Sequence, residues 1–83
     1  MISIVVCSIN ESFYRNLVDS IKNTIGENLV WEIVKIDNNI FKYSLSEAYN
    51  LGAKNAKFNI IVFVHEDVVF RTFDWGFELI NNF

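Results

Sequence analysis

The 83-residue sequence predicts an α/β fold with three layers, in which a short parallel β-sheet carries helices on both faces. Three apolar runs alternate with two longer segments in which apolar residues recur at helical spacing. The third run, Asn59 to Val64, is almost wholly apolar, which is typical of a strand buried on both faces of a parallel sheet. With 52% hydrophobic residues, the chain is expected to form one small domain around one core.

The first half of the chain predicts a strand followed by a helix. The strand covers Ile2–Cys7, and the polar loop Ser8–Glu11 follows it. Ser12 is the predicted N-cap of a helix over Ser12–Ile25, since a serine hydroxyl can accept a free N–H of the first turn. Gly26 is expected to end this helix. Its predicted buried face consists of Phe13, Leu17, Val18, Ile21 and Ile25.

The second half repeats the pattern. A second strand is predicted over Leu29–Ile36 and ends at Asp37-Asn38-Asn39. The segment Ser44-Leu45-Ser46-Glu47 matches a capping box and begins a second helix, Ser44–Ala56. Small residues along one side of that helix allow it to lie close to the sheet. After the third strand, Asp74 is expected to begin a last helix.

Two strand orders are compatible with parallel strands and right-handed crossovers. Order 1-2-3 would put both helices on one face, whereas order 2-1-3 puts one on each face. We expect the Rossmann-like order 2-1-3, because strands one and three are apolar on both sides. The loop Ser8–Glu11 then faces His65-Glu66-Asp67 at the carboxyl ends of the strands, where open α/β sheets bind their ligands.

Composition excludes several classes of function. The formal net charge is −3 and no Lys/Arg cluster occurs, so no nucleic-acid partner is expected. A single cysteine fits a reducing compartment. The first ten residues are expected to form a strand rather than a signal peptide, and no apolar run approaches the about 20 residues of a transmembrane segment. We therefore expect a cytoplasmic location.

Standard phosphate-binding loops are missing from the sequence. The three glycines stand at positions 26, 52 and 76, so neither a dinucleotide fingerprint nor a P-loop is present. A bound diphosphate would need a cation instead, and Mg²⁺ or Mn²⁺ prefers carboxylate oxygens together with substrate phosphates. Glu66 and Asp67 are the only adjacent carboxylates in the chain, so that role falls to them.

Four short signals, in order, resemble the first half of a family 2 glycosyltransferase with the GT-A fold. They are the loop Ser8 to Asn10, the strand Glu32 to Asn38, the helix motif Ala48-Tyr49-Asn50-Leu51-Gly52, and His65-Glu66-Asp67 in place of the Asp-x-Asp metal motif. The resemblance covers residues 2 to 68. It implies a partial GT-A fold, with the whole of 1–83 as the half that binds a nucleotide-sugar.

The resemblance also implies roles for individual residues. Asp37 matches the acid that hydrogen-bonds the base of the donor nucleotide. Ser8 and Asn10 match the loop that lines the base and ribose, and Glu66 matches a position near the ribose. The donor implied is a nucleotide-diphospho-sugar, with a UDP-sugar favoured.

The implied metal is Mn²⁺ or Mg²⁺ bridging the donor diphosphate. Asp67 matches the acid that holds it. His65 replaces the first aspartate of the motif, and as a neutral imidazole it could ligate the metal or hydrogen-bond a phosphate.

The resemblance leaves the catalytic residue unknown, because the acceptor site and general base belong to the second half of such enzymes. The chain is therefore expected either to be truncated at its C-terminus or to find its missing half elsewhere, with a homo-oligomer possible, and its own enzymatic activity stays open. Two other classes remain possible. One is a receiver-like signalling module, although Asn10-Glu11 offers only one acid after strand one; the other is a small non-catalytic α/β interaction domain. Cys7 is expected to be a buried, inert thiol.

Overall fold

The computed structural model describes residues 1–38 and 43–81, and it confirms the α/β fold. Three strands and three helices alternate along the chain. In order they are β1 (Ile2–Ser8), α1 (Glu11–Thr24), β2 (Trp31–Asp37), α2 (Leu45–Asn55), β3 (Ile60–His65) and α3 (Trp75–Asn81).

The strands form one parallel sheet in the order β2-β1-β3, as the sequence predicts. The register places Val5 of β1 between Val34 of β2 and Phe63 of β3. Order 1-2-3 is thereby excluded. The central strand has hydrogen-bonded neighbours on both sides, so its side chains are the most completely buried of the sheet.

The two longer helices pack on opposite faces of this sheet. Ile2, Ile4 and Val6 point to the face covered by α1, where they form a buried cluster with Leu17, Ile21, Ile25 and Val64. The half-buried side chains of α3 pack against the same cluster. On the other face, α2 approaches Val5 so closely that position 52 has room only for glycine. The predicted three-layer arrangement is confirmed.

The start of α1 differs from the prediction. The N-cap is Asn10 rather than Ser12, since the Asn10 side-chain oxygen accepts the N–H of Phe13 at 3.1 Å. β1 continues through Ser8, so only two residues separate it from the helix. The helical pattern predicts Phe13 in the core, but its side chain is 48% exposed, because it lies in the first turn of α1, towards the end of the sheet.

The other boundaries agree with the predictions to within two residues. β2 begins at Trp31 rather than Leu29, and β3 runs from Ile60 to His65. Gly26 follows the end of α1 with φ +126°, a conformation that favours glycine. Ser44 and Glu47 form the predicted capping box. The predicted end of strand two at Asn39 lies outside the described residues.

A polar network ties the α2–β3 connection to the sheet. The buried Ser3 hydroxyl donates to Glu32 Oε2 at 2.6 Å and accepts the N–H of Phe58 at 3.1 Å. The N–H of Lys57 also donates to Glu32 Oε2, at 2.6 Å. These hydrogen bonds lower the pKa of Glu32, with the Ser3 hydroxyl as the largest cause. The hydrogen bonds of Ser3 to Glu32 and Phe58 thus explain why a serine lies in an otherwise apolar strand.

Within 1–38 and 43–81, no helix combines the length and the apolar character that crossing a bilayer requires.

Candidate functional site

A pocket of about 540 Å³ opens at the carboxyl ends of β1 and β3, between the first turns of α1 and α2. Its size is that of a site for a small organic ligand. Four of the residues predicted from the sequence line it: Asn10, His65, Glu66 and Asp67. Seven further lining residues were not predicted: Cys7, Ile9, Phe13, Asn38, Tyr43, Leu45 and Tyr49. The pocket therefore lies where strand order 2-1-3 places a ligand.

Glu66 lines this pocket and connects the turn after β3 to the link between β1 and α1. It is 8% exposed, and its Oε1 accepts the N–H groups of Ile9 and Asn10, each at 2.9 Å. Both amides belong to the link between β1 and α1, where the helix N-terminus favours a negative group. Glu66 Oε2 is buried and has no hydrogen-bond partner within the described part of the chain.

This arrangement affects how a phosphate could bind. Successive backbone N–H groups at a helix N-terminus are a common phosphate site in nucleotide-binding proteins. Here the amides of Ile9 and Asn10 already donate to a carboxyl group of the protein. A phosphate in the pocket would have to compete with Glu66 for them.

His65 and Asp67 flank Glu66 and are both exposed at the pocket. The turn that carries them is closed by a hydrogen bond from the N–H of Val68 to the carbonyl of His65, 3.2 Å long. The His65 ring meets the Tyr49 ring edge-on, with 6.4 Å between centroids. The buried acid thus separates two exposed groups that can reach a ligand.

These residues fit a cation only when the ligand completes its coordination. Among residues 1–38 and 43–81, no cluster of three His, Cys, Asp or Glu side chains could hold a metal ion. Asp67 and His65 are of residue types that ligate divalent cations, whereas the Glu66 carboxyl group accepts the Ile9 and Asn10 amides. Mg²⁺ typically binds through one or two carboxylates plus substrate phosphates, so this donor set suits a metal shared with a diphosphate.

The charge around the pocket is acidic. Glu66 and Asp67 line it, and no Lys or Arg does so within the described residues. Lys35, on β2, donates instead to Glu11 Oε2 at 2.9 Å and lies 4.3 Å from the centre of the Tyr14 ring. The hydrogen bond to Glu11 raises the pKa of Lys35. A highly charged anion therefore finds no basic side chain on the described wall of the pocket.

Asn38 holds one wall of the pocket in place. Its side chain is buried and forms two hydrogen bonds with the backbone of Tyr43, donating to the carbonyl at 2.9 Å and accepting the N–H at 2.8 Å. Its own N–H donates to the carbonyl of Ser8 at 2.7 Å. Asn38 thus connects the ends of β1 and β2 to the segment that leads into α2.

Ser8 and Asp37 lie beside the pocket without lining it. They are register partners at the ends of β1 and β2. Ser8 is 2% exposed, whereas Asp37 is exposed. The contacts of both residues with a nucleotide stay predictions.

Several residues missed by the sequence interpretation are aromatic. Phe13 and Tyr49 belong to apolar helix stripes, but both reach the pocket because they lie near the sheet end. Burial raises the pKa of Tyr49, and the nearby Cys7 adds to this effect. Cys7 itself is half-buried and lines the pocket, so the expectation of a buried thiol is corrected. Helical periodicity predicts on which face of a helix a side chain lies, but it does not indicate a pocket at the end of the sheet.

The chain was compared with protein families, curated proteins and solved structures. The model of a family described as "Glycosyltransferase like family" matches residues 3–83, nearly the whole chain. No curated protein and no solved structure matches.

Proposed function

Because the chain belongs to the glycosyltransferase-like family, we propose that its pocket binds a nucleotide-diphospho-sugar, with a UDP-sugar as the favoured donor, together with Mn²⁺ or Mg²⁺. In the complete reaction the sugar would pass from the diphosphate to an acceptor hydroxyl. The receiver-like alternative has less support, because the Glu11 carboxylate binds Lys35 and does not line the pocket.

The observation that carries this proposal is the charge of the pocket. A donor diphosphate would meet Asp67 and Glu66 and no basic side chain on the described wall, and the loop amides already donate to Glu66. Without a cation, the diphosphate and the carboxylates would repel each other. Asp67 and His65 would hold a divalent cation, and its charge would offset this repulsion. When bound, such a cation supplies positive charge to the diphosphate as it leaves.

The remaining roles follow the resemblance. Ser8 and Asn10 would line the base and ribose, Asp37 would hydrogen-bond the base, and Glu66 would lie near the ribose. The aromatic side chains that line the pocket support this assignment, since a flat base can stack on a ring such as that of Phe13 or Tyr49. The general base that activates the acceptor is not assigned to any residue.

Calorimetric titration with UDP tests the metal requirement. We expect Mn²⁺ to raise the affinity for UDP at least tenfold, or about 1.4 kcal/mol. Asp67→Asn should reduce the affinity measured with Mn²⁺ to the level measured without it. The control is Asp19→Asn, which removes the same charge from an exposed position of α1 and should leave both affinities unchanged. Equal UDP affinity with and without metal would exclude the assignment of Asp67.

A further inference from the structure

We infer that Glu66 is a positioning residue, which sets the β1–α1 loop against the His65–Asp67 turn and acts on the donor through that loop. This role is compatible with the position near the ribose that the resemblance implies, and it does not require Glu66 to contact the donor itself. The effect on donor binding rests on the proposed function, whereas the effect on the loop can be measured without any ligand.

The geometry of the hydrogen bonds supports this role. A single oxygen, Glu66 Oε1, accepts two successive backbone N–H groups at 2.9 Å each, from residues 57 and 56 positions away in the sequence. These are long-range contacts between the loop that follows β1 and the turn that follows β3. Since the side chain is 8% exposed, its carboxyl group lies within the protein.

The residues joined in this way line the same pocket. Ile9 and Asn10 line it from the link between β1 and α1, and His65 and Asp67 line it from the turn after β3. One side chain therefore fixes the distance between the segment expected to contact the nucleotide and the segment expected to hold the metal. A shift of either segment would separate two halves of one binding site.

The second carboxyl oxygen of Glu66 takes no part in these hydrogen bonds. Glu66 Oε2 is buried without a hydrogen-bond partner in the described residues, and burying an unsatisfied polar atom is unfavourable. Buried polar atoms without a partner tend to occur at functional sites, where a residue is present for its role rather than for packing.

The chemistry predicts which substitutions preserve the role. Only Oε1 accepts the loop amides, so glutamine, with the same length and one carbonyl oxygen, can keep both hydrogen bonds. Alanine removes the acceptor altogether. Glu66→Gln and Glu66→Ala therefore separate the hydrogen bonds from the charge.

The test combines amide hydrogen exchange with UDP titration on the full 83-residue chain. In Glu66→Ala, we expect exchange at Ile9 and Asn10 to accelerate at least tenfold, while the amides of β1 stay protected and report an intact fold. UDP affinity with Mn²⁺ should fall at least tenfold. In Glu66→Gln, both quantities should stay within threefold of the original. Glu27→Ala, an exposed glutamate outside the pocket, is the control and should change neither.

The possible outcomes are distinguishable. Unchanged protection of Ile9 and Asn10 in Glu66→Ala overturns the positioning role. The positioning role is also overturned if Glu66→Gln keeps the amide protection but loses UDP affinity, because the Glu66 charge would then act directly on the donor or the metal. If Glu66→Ala does not fold, Glu66→Gln alone tests the role. Loss of amide protection at Ile9 and Asn10 in Glu66→Gln then counts against it. If even the original chain binds no UDP, the proposed function fails, and the exchange data still test the loop contact.

Discussion

Gly52 of α2 packs directly against Val5 of β1, and Gly52→Ala tests the importance of this contact. A Cβ atom at this position would overlap Val5 Cγ1 and would lie 3.3 Å from both Val5 Cβ and Val5 Cγ2. Gly52 is buried on α2, and Val5 is fully buried on the central strand. Because α2 also carries Leu45 and Tyr49, this contact sets the position of one wall of the pocket.

Two effects of opposite sign determine the magnitude. Alanine improves helix propensity over glycine by about 1 kcal/mol. Overpacking a well-packed core costs about 1–3 kcal/mol, and the upper part of that range applies here. The β-branched Val5 side chain is stiff, and the strand that carries it is held on both sides. We therefore expect a net loss of about 1–2 kcal/mol, or roughly 4–8 °C in Tm for each kcal/mol.

Urea unfolding of a double-mutant cycle isolates this contact. Val5→Ala removes both γ carbons, so that the nearest remaining atom is Cβ at 3.3 Å. In that background, Gly52→Ala should be neutral or stabilising by up to about 1 kcal/mol, because only the propensity gain remains. The expected coupling free energy is about 2 kcal/mol. If Gly52→Ala stabilises the original protein, or if its effect is the same in both backgrounds, the close packing of α2 on β1 is refuted.

Two further predictions concern the polar contacts. Asn38→Asp keeps an acceptor for the N–H of Tyr43 but places a second oxygen against the Tyr43 carbonyl. The urea midpoint should therefore drop by the equivalent of about 1–3 kcal/mol. An unchanged midpoint would contradict the two hydrogen bonds. The second concerns Glu32, whose folded-state pKa is lowered by its hydrogen bonds with Ser3 and Lys57. The stabilising contribution of Glu32 is therefore present above the unfolded-state pKa and is lost as pH falls through the lowered folded-state pKa. Between about pH 5 and about pH 3, Tm should therefore fall more steeply in the original chain than in Glu32→Gln, and equal slopes would count against this linkage.

Strand order and helix placement were predictable because they follow from burial. A central strand with apolar side chains on both faces needs a cover on each side, which selects order 2-1-3 over 1-2-3. The location of the pocket follows from that order. The N-cap was not predictable in the same way: Asn10 and Ser12 are both good caps, and the choice depends on where β1 ends.

The inward orientation of Glu66 was also beyond the sequence pattern. Three consecutive ionisable residues after a buried strand suggest three exposed side chains. In the structure His65 and Asp67 are exposed, whereas Glu66 between them is buried and accepts hydrogen bonds from the amides of Ile9 and Asn10. Those partners are more than 50 positions away and have no side-chain signature, since a backbone N–H is the same in every residue but proline.

The same hydrogen bonds connect the shape of the pocket to its chemistry. In glycine-rich nucleotide sites, amides after the first strand bind the phosphates directly. In this chain the amides of Ile9 and Asn10 donate to Glu66, which fixes the two loops but withdraws those amides from a ligand. With no basic side chain on the described wall, a cation at Asp67 and His65 is the means that we propose for neutralising a donor diphosphate. The metal requirement proposed for donor binding is thus the consequence of holding the loop with a protein carboxyl group.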